Sequence, residues 1–209
     1  MKDTMEKLHQ YLHKNYPQVA GRKNNFSNHP YNPSLIPKRL RPTINIPQST
    51  TNLFTTVDAL ENLNIKYTLV RGTMLGIYRG GGLIEHDTDV DLAVWVQDEN
   101  KIIELTKDLE DSQLMLTRFN NKILSFTRGS DYIDLYMYRA EEKNSNVLHC
   151  RHIFGTLTTM DFDNSNTVTF HNRNLTCVND PEDYFQKLYG SDWRTPIKGM
   201  QANLKHGKR

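Results

Sequence analysis

From Asp89 onward the chain reads Asp-Val-Asp-Leu-Ala-Val-Trp-Val, an alternation of carboxylate and apolar side chain that becomes an unbroken apolar run. In an extended strand, residues two apart share a face. Asp89 and Asp91 therefore emerge together, while Val90, Leu92 and Val94 point into a core from behind. A chain built around this stretch must form a sheet with one covered face. Two like charges held side by side are costly to ionise unless a cation joins them, and a divalent metal with oxygen ligands is the usual solution.

Asp134 repeats the pattern on a second predicted strand, where Ile133 and Leu135 point one way and Tyr132, Asp134 and Tyr136 the other. If the two strands are neighbours, Asp89, Asp91 and Asp134 converge as ligands for one or two Mg2+ or Mn2+ ions, which bridge phosphate oxygens and stabilise developing charge. Gly72 and Thr73, at a turn that opens a helix, offer backbone N–H groups and the positive end of a helix dipole to an anion. Arg79, at the end of that short helix, offers a bidentate phosphate contact. His86 and Asp87 stand just before the aspartate pair, either as base or metal partner or as a turn in which Asp87 caps backbone groups. Trp193, Tyr132, Tyr136 and Tyr138 can stack on a base, though aromatics on strands more often fill a core. In this order, within one strand-turn-helix-strand unit, the pattern points to metal-dependent transfer involving a nucleotide phosphate.

Around that unit the periodicity predicts a short helix over 3–15 and a helix capped by Ser49 or Thr50, with Leu53, Phe54, Val57, Leu60 and Leu63 on one face. Strands are expected over 66–70, 89–96, 113–118, 122–128 and 132–138, and helices over 74–78 and 98–110. A hairpin is expected within 151–178, broken by the polar stretch 161–166, and a last helix runs from Asp180-Pro181 to Leu188. These elements give an α/β (α+β) domain over 49–199, a mixed β-sheet flanked by helices. Residues 1–48 contribute the first helix and an extended segment rich in proline, from Pro17 to Pro47. Lys38, Arg39 and Arg41 in that segment are expected on a solvated surface, with an anionic ligand as the alternative. Residues 200–209 form a basic tail.

Lys and Arg number 26 against 24 Asp and Glu, so no global field marks the chain as a nucleic-acid or membrane-surface binder. The polar start MKDTMEKLHQYLHKNY lacks the apolar run of a signal peptide, and no segment has the length and apolarity of a transmembrane span; a soluble cytoplasmic protein is expected. Cys150 and Cys177 are too few for a disulfide framework. With His149, His152 and His171 they allow a zinc site on paper, but the paired cysteine spacing is missing, and both are expected as small buried residues on neighbouring strands.

The segment GTMLGIYRGGGLIEHDTDVDLAVW resembles the Gly-Thr, Leu-Gly, Arg and Asp-x-Asp-x-Asp signature of the LicD/fukutin family of phosphotransferases, and YGSDWRTPIKG resembles its closing Tyr-Gly, Trp and Pro pattern. The likeness runs over residues 67–198. It implies a nucleotidyltransferase-type fold that takes a CDP-activated small-molecule donor. It also implies transfer of phosphocholine, or of a polyol phosphate such as ribitol phosphate, to a glycan or glycoconjugate hydroxyl, with CMP leaving. By position, Gly72, Thr73 and Arg79 match the phosphate-binding motif, Asp87, Asp89 and Asp91 the aspartate run, and Asp134 the later strand aspartate. Glu85 and His86 stand where many members have Pro-Trp, which makes His86 a candidate substrate contact. Asp87, Asp89, Asp91 and Asp134 are the expected catalytic group, with Asp87 as base or second metal ligand. Two other functions use the same residues differently: a nucleotidyltransferase that places NMP from an NTP on a small molecule, sugar phosphate or protein, and a non-catalytic domain that binds a glycan or partner.

Overall fold

The computed structural model describes residues 5–20, 40–120, 122–140, 145–150, 157–163 and 166–196. The segment 21–39 with Lys38 and Arg39, the zinc candidate His152, and the basic tail lie outside the described residues. Helices α1 (Glu6–Asn15) and α2 (Pro17–Ala20) lead to α3 (Ile46–Asn62), β1 (Tyr67–Leu69), α4 (Arg71–Gly80), β2 (Val90–Trp95) and α5 (Glu99–Asp111). Strands β3 (Met115–Asn120), β4 (Ile123–Arg128) and β5 (Asp131–Ala140) follow, then β6 (Val147–His149), β7 (Leu157–Thr158), β8 (Asn166–Phe170), β9 (Arg173–Cys177) and α6 (Pro181–Tyr189).

The sheet is mixed and runs in the order β3-β4-β5-β2-β1-β9-β8, with β6 and β7 continuing from the far end of β5. Strand β2 lies parallel to β5 and antiparallel to β1, so the two predicted aspartate strands are direct neighbours. On one face of this pair, Val90, Leu92, Val94, Ile133, Leu135 and Met137 are sealed from water. The helices α3 and α5 pack against each other and against the sheet. Their buried residues Leu53, Val57, Leu60, Ile102, Leu105 and Leu109 join the same hydrophobic core. The first helix enters that core too: Met5, Leu8 and Leu12 are buried, and Glu99 at the start of α5 accepts the Leu8 N–H.

Three boundaries differ from expectation, each for a local reason. Helix α3 starts earlier than Ser49, because the Asn45 side chain accepts the Gln48 N–H and Pro47 in the first turn has no N–H to leave unpaired. Helix α4 follows β1 with no intervening turn, since Arg71 adopts a left-handed φ of 54° and turns the chain within one residue. The final hairpin closes at His171-Asn172 and not across 161–166; both residues have positive φ, the requirement of a tight two-residue turn, but neither is the glycine that advertises one. The stretch before it forms a single 3-10 turn over Thr159–Asp161, capped by reciprocal bonds between Thr158 and Asp161.

Candidate active site

Pairing register places Asp91 of β2 opposite Asp134 of β5, Asp134 opposite Ser125 of β4, and Ser125 opposite Arg118 of β3. One polar row thus crosses four strands. Arg118 donates from Nε to Ser125 Oγ at 2.7 Å and also forms an ion pair with Asp134, while the Ser125 hydroxyl donates to the other Asp134 oxygen. Asp89, one residue before β2, completes the cluster: carboxylate oxygens of Asp89, Asp91 and Asp134 all lie within 4.8 Å of one another. No other metal-capable grouping of three His, Cys, Asp or Glu side chains exists among the described residues.

Arg118 reaches this row because β3 is irregular. The register slips between Leu116 and Arg118, so Leu116 pairs with Phe126 while Arg118 pairs with Ser125, residues that point to opposite faces of β4. A bulge of this kind re-aims a side chain. Without it, Leu116 and Arg118 would share a face by simple alternation, which is why sequence periodicity hides Arg118 from the site.

Each remaining aspartate is also held. Tyr132 Oη donates to Asp89 and Tyr136 Oη donates to Asp91, both at 3.0 Å, and Arg41 in turn donates to Tyr132 Oη at 2.8 Å. The two tyrosines, candidates for base stacking, are buried supports of the carboxylates instead, and Arg41 belongs to their network. The backbone N–H of Asp91 donates to the Thr73 hydroxyl at 2.8 Å, which ties β2 to the first turn of α4. Asp87 lies against that same turn: a side chain at Gly72 would collide with Asp87 Oδ2. Glycine there lets an acidic group approach the positive end of the helix dipole.

The local electrostatics follow from this crowding. Burial, and then the charge of Asp89, push the Asp91 carboxyl well above its ordinary range, with Arg71 pulling the other way. Burial and the adjacent carboxylates likewise raise the Tyr132 and Tyr136 phenols, so both stay protonated donors. Three carboxylates and no nitrogen or sulfur form a donor set suited to a hard divalent cation such as Mg2+.

Other predicted site residues stand further out. Arg79 is in the last turn of α4, about 12 Å along the axis from its start by helical rise, and donates to the Trp193 carbonyl oxygen at 2.9 Å. Trp193 is buried against Phe185 and Tyr78, so the closing motif clasps the far end of α4. His86 is exposed in a turn. Cys150 and Cys177 are buried, but Cys150 follows β6 while Cys177 ends β9, and these strands do not pair with each other. Burial pushes their thiols up to about 12 and about 11, away from the thiolate a zinc site needs.

Comparison with known proteins agrees with this architecture. No curated protein matches the chain in sequence. Among solved structures, the antibiotic-resistance factor ANT(2'')-Ia in solution superposes with a TM-score of 0.52 at 12% identity, covering 77% of this chain and 80% of that one. The same protein crystallised with adenylyl-2''-tobramycin gives 0.50 at 14% identity, covering 72% and 79%. The likeness establishes the nucleotidyltransferase fold. The family described as LicD/FKTN/FKRP, nucleotidyltransferase domain, matches residues 64–181, more than half of the chain, and that span holds Gly72 and Thr73, the aspartate row and Arg118. The chain therefore belongs to the LicD/FKTN/FKRP family, a membership that implies a transferase role of phosphotransferase type.

Proposed function

We propose that this protein is a metal-dependent phosphotransferase that moves phosphocholine, or a polyol phosphate such as ribitol phosphate, from a CDP-activated donor to a glycan hydroxyl, releasing CMP. The convergence of Asp89, Asp91 and Asp134 in a chain of this family carries the reading. These three would hold Mg2+ or Mn2+, and such an ion would offset the cost of an ionised Asp91 that is buried and stands beside Asp89. When bound, the ion would neutralise charge on the diphosphate and the departing nucleotide.

The chain's own residues supply positioning, on which phosphoryl transfer chiefly depends. Arg118 and Ser125 fix Asp134, and the two tyrosine hydroxyls fix Asp89 and Asp91, before any donor arrives. The N–H groups of Gly72 and Thr73, in the first turn of α4, would receive the phosphates. Asp87, beside them, takes the proton of the acceptor hydroxyl as its oxygen bonds to the distal phosphorus and the bond to CMP breaks. His86 meets substrate at the rim, and Arg79 acts by holding the far end of α4 to the closing motif. Residues 49–199 are the proposed catalytic unit.

Incubation of the protein and Mg2+ with CDP-choline, CDP-ribitol or CDP-glycerol plus candidate glycans should release CMP from one donor, seen by mass spectrometry. The adenylyl-2''-tobramycin bound in a structure of similar fold favours a second reading, transfer of NMP from an NTP. Pyrophosphate in place of CMP would select it.

A further inference from the structure

We propose that Arg71, outside the residues matched to the family's phosphate motif, is the side chain that grips the diphosphate of the nucleotide donor; this rests on the donor reading above. Arg71 opens α4, directly before Gly72 and Thr73, and its guanidinium lies over the Tyr136 ring, 4.8 Å from the centroid. Tyr136 is the residue whose hydroxyl holds Asp91, so the cation is stationed one ring away from the carboxylate cluster. Among the described residues the guanidinium feels the nearby charge of Asp91 but makes no direct hydrogen bond or ion pair, leaving its planar set of donors available. Stacking on an aromatic face orients that plane without using its N–H groups.

The backbone supports the assignment. Arg71 has φ 54°, a left-handed conformation that side chains other than glycine, asparagine and aspartate rarely adopt. Its N–H donates to Tyr184 Oη of α6 at 3.1 Å, so the final helix helps to hold the strained residue in place. Glycine would satisfy this conformation without strain, yet the position carries the side chain best suited to bidentate phosphate contact. Strain retained at a site edge points to a use for the side chain.

Calorimetric titration of the full chain with CDP in the presence of Mg2+ tests this, using R71G, R71N and R71K. Both R71G and R71N suit a left-handed backbone and remove the charge. They should bind CDP about 10- to 100-fold more weakly, the range expected for lost charged hydrogen bonds. The melting temperature of R71G should be equal to or above that of the wild type. R71K, which keeps the charge but not the fork, should fall between. A residue that merely supports the fold would lower the melting temperature and affinity together. CDP affinity in R71G or R71N equal to that of the wild type overturns the inference alone. A wild type that binds neither CDP nor inorganic pyrophosphate with Mg2+ overturns the inference together with the donor reading.

Discussion

On one face of β2 and β5, Val90, Leu92, Val94, Ile133, Leu135 and Met137 are closed off from water; on the other, Asp91, Asp134, Tyr132 and Tyr136 are buried nearly as deeply. The same two strands supply both faces, and they obey different physics. Apolar contacts are non-directional and gain simply from exclusion of water. Buried polar groups are tolerable only when each finds a partner, and here Arg118, Ser125, Thr73 and the tyrosine hydroxyls provide them. One face holds the fold together, whereas the other carries an electrostatic load that the fold supports.

Asp91→Ala should separate the two faces most sharply. Phosphotransfer should fall by about 1000-fold, the scale of losing a dominant electrostatic group, while the metal-free protein melts no lower than wild type, since a desolvated carboxylate beside another has been removed. CMP release and a thermal scan check both halves; a large drop in melting temperature would make the polar face structural. Leu92→Ala should do the reverse, lowering stability by about 3 kcal/mol in urea titrations while leaving turnover per folded molecule essentially unchanged. Arg118→Ala tests whether the load is shared. Its side chain is 14% exposed, so the loss should fall between that of a surface pair and a fully buried one, about 2 kcal/mol. Mg2+ should then stabilise the variant more than the wild type, because Asp134 has lost its counter-charge.

The smallest effect is a pH dependence. Burial beside Asp89 should make the folded, metal-free chain hold the Asp91 proton to higher pH than the unfolded chain, whose carboxylates titrate at about 4. That contribution is fully present at low pH and is lost as pH rises through the raised pKa, so metal-free stability should decline over that interval. Mg2+ should flatten the decline. Melting curves across pH with and without the ion would reveal it, and parallel curves would mean that Asp91 does not take part in binding.

How much of this the sequence disclosed depends on the range of the interaction. Alternation alone places Asp89, Asp91 and Asp134 on site-facing positions and Val90 and Leu92 behind them, because strand geometry is local. It cannot reveal Arg118, whose orientation depends on a bulge, or the role of Tyr132 and Tyr136, which depends on strand order. Pro47 masks the start of α3 in the sequence because proline breaks a helix interior but is tolerated in a first turn. The His171-Asn172 turn and the left-handed Arg71 are illegible in the sequence for a shared reason: positive φ at residues other than glycine leaves little mark in composition.

Since Asp91 and Asp134 face each other across adjoining parallel strands, the span between their backbones is the pitch of the sheet, about 4.8 Å. A cation held between them would sit in a vise whose jaws are anchored on fixed backbones. Those backbones cannot part for a larger ion without unzipping the ladder between the strands, so choice among ions would rest on what the aspartate side-chain torsions can accommodate. Lengthening either jaw by one methylene, as glutamate would, should disturb that choice before it disturbs the fold.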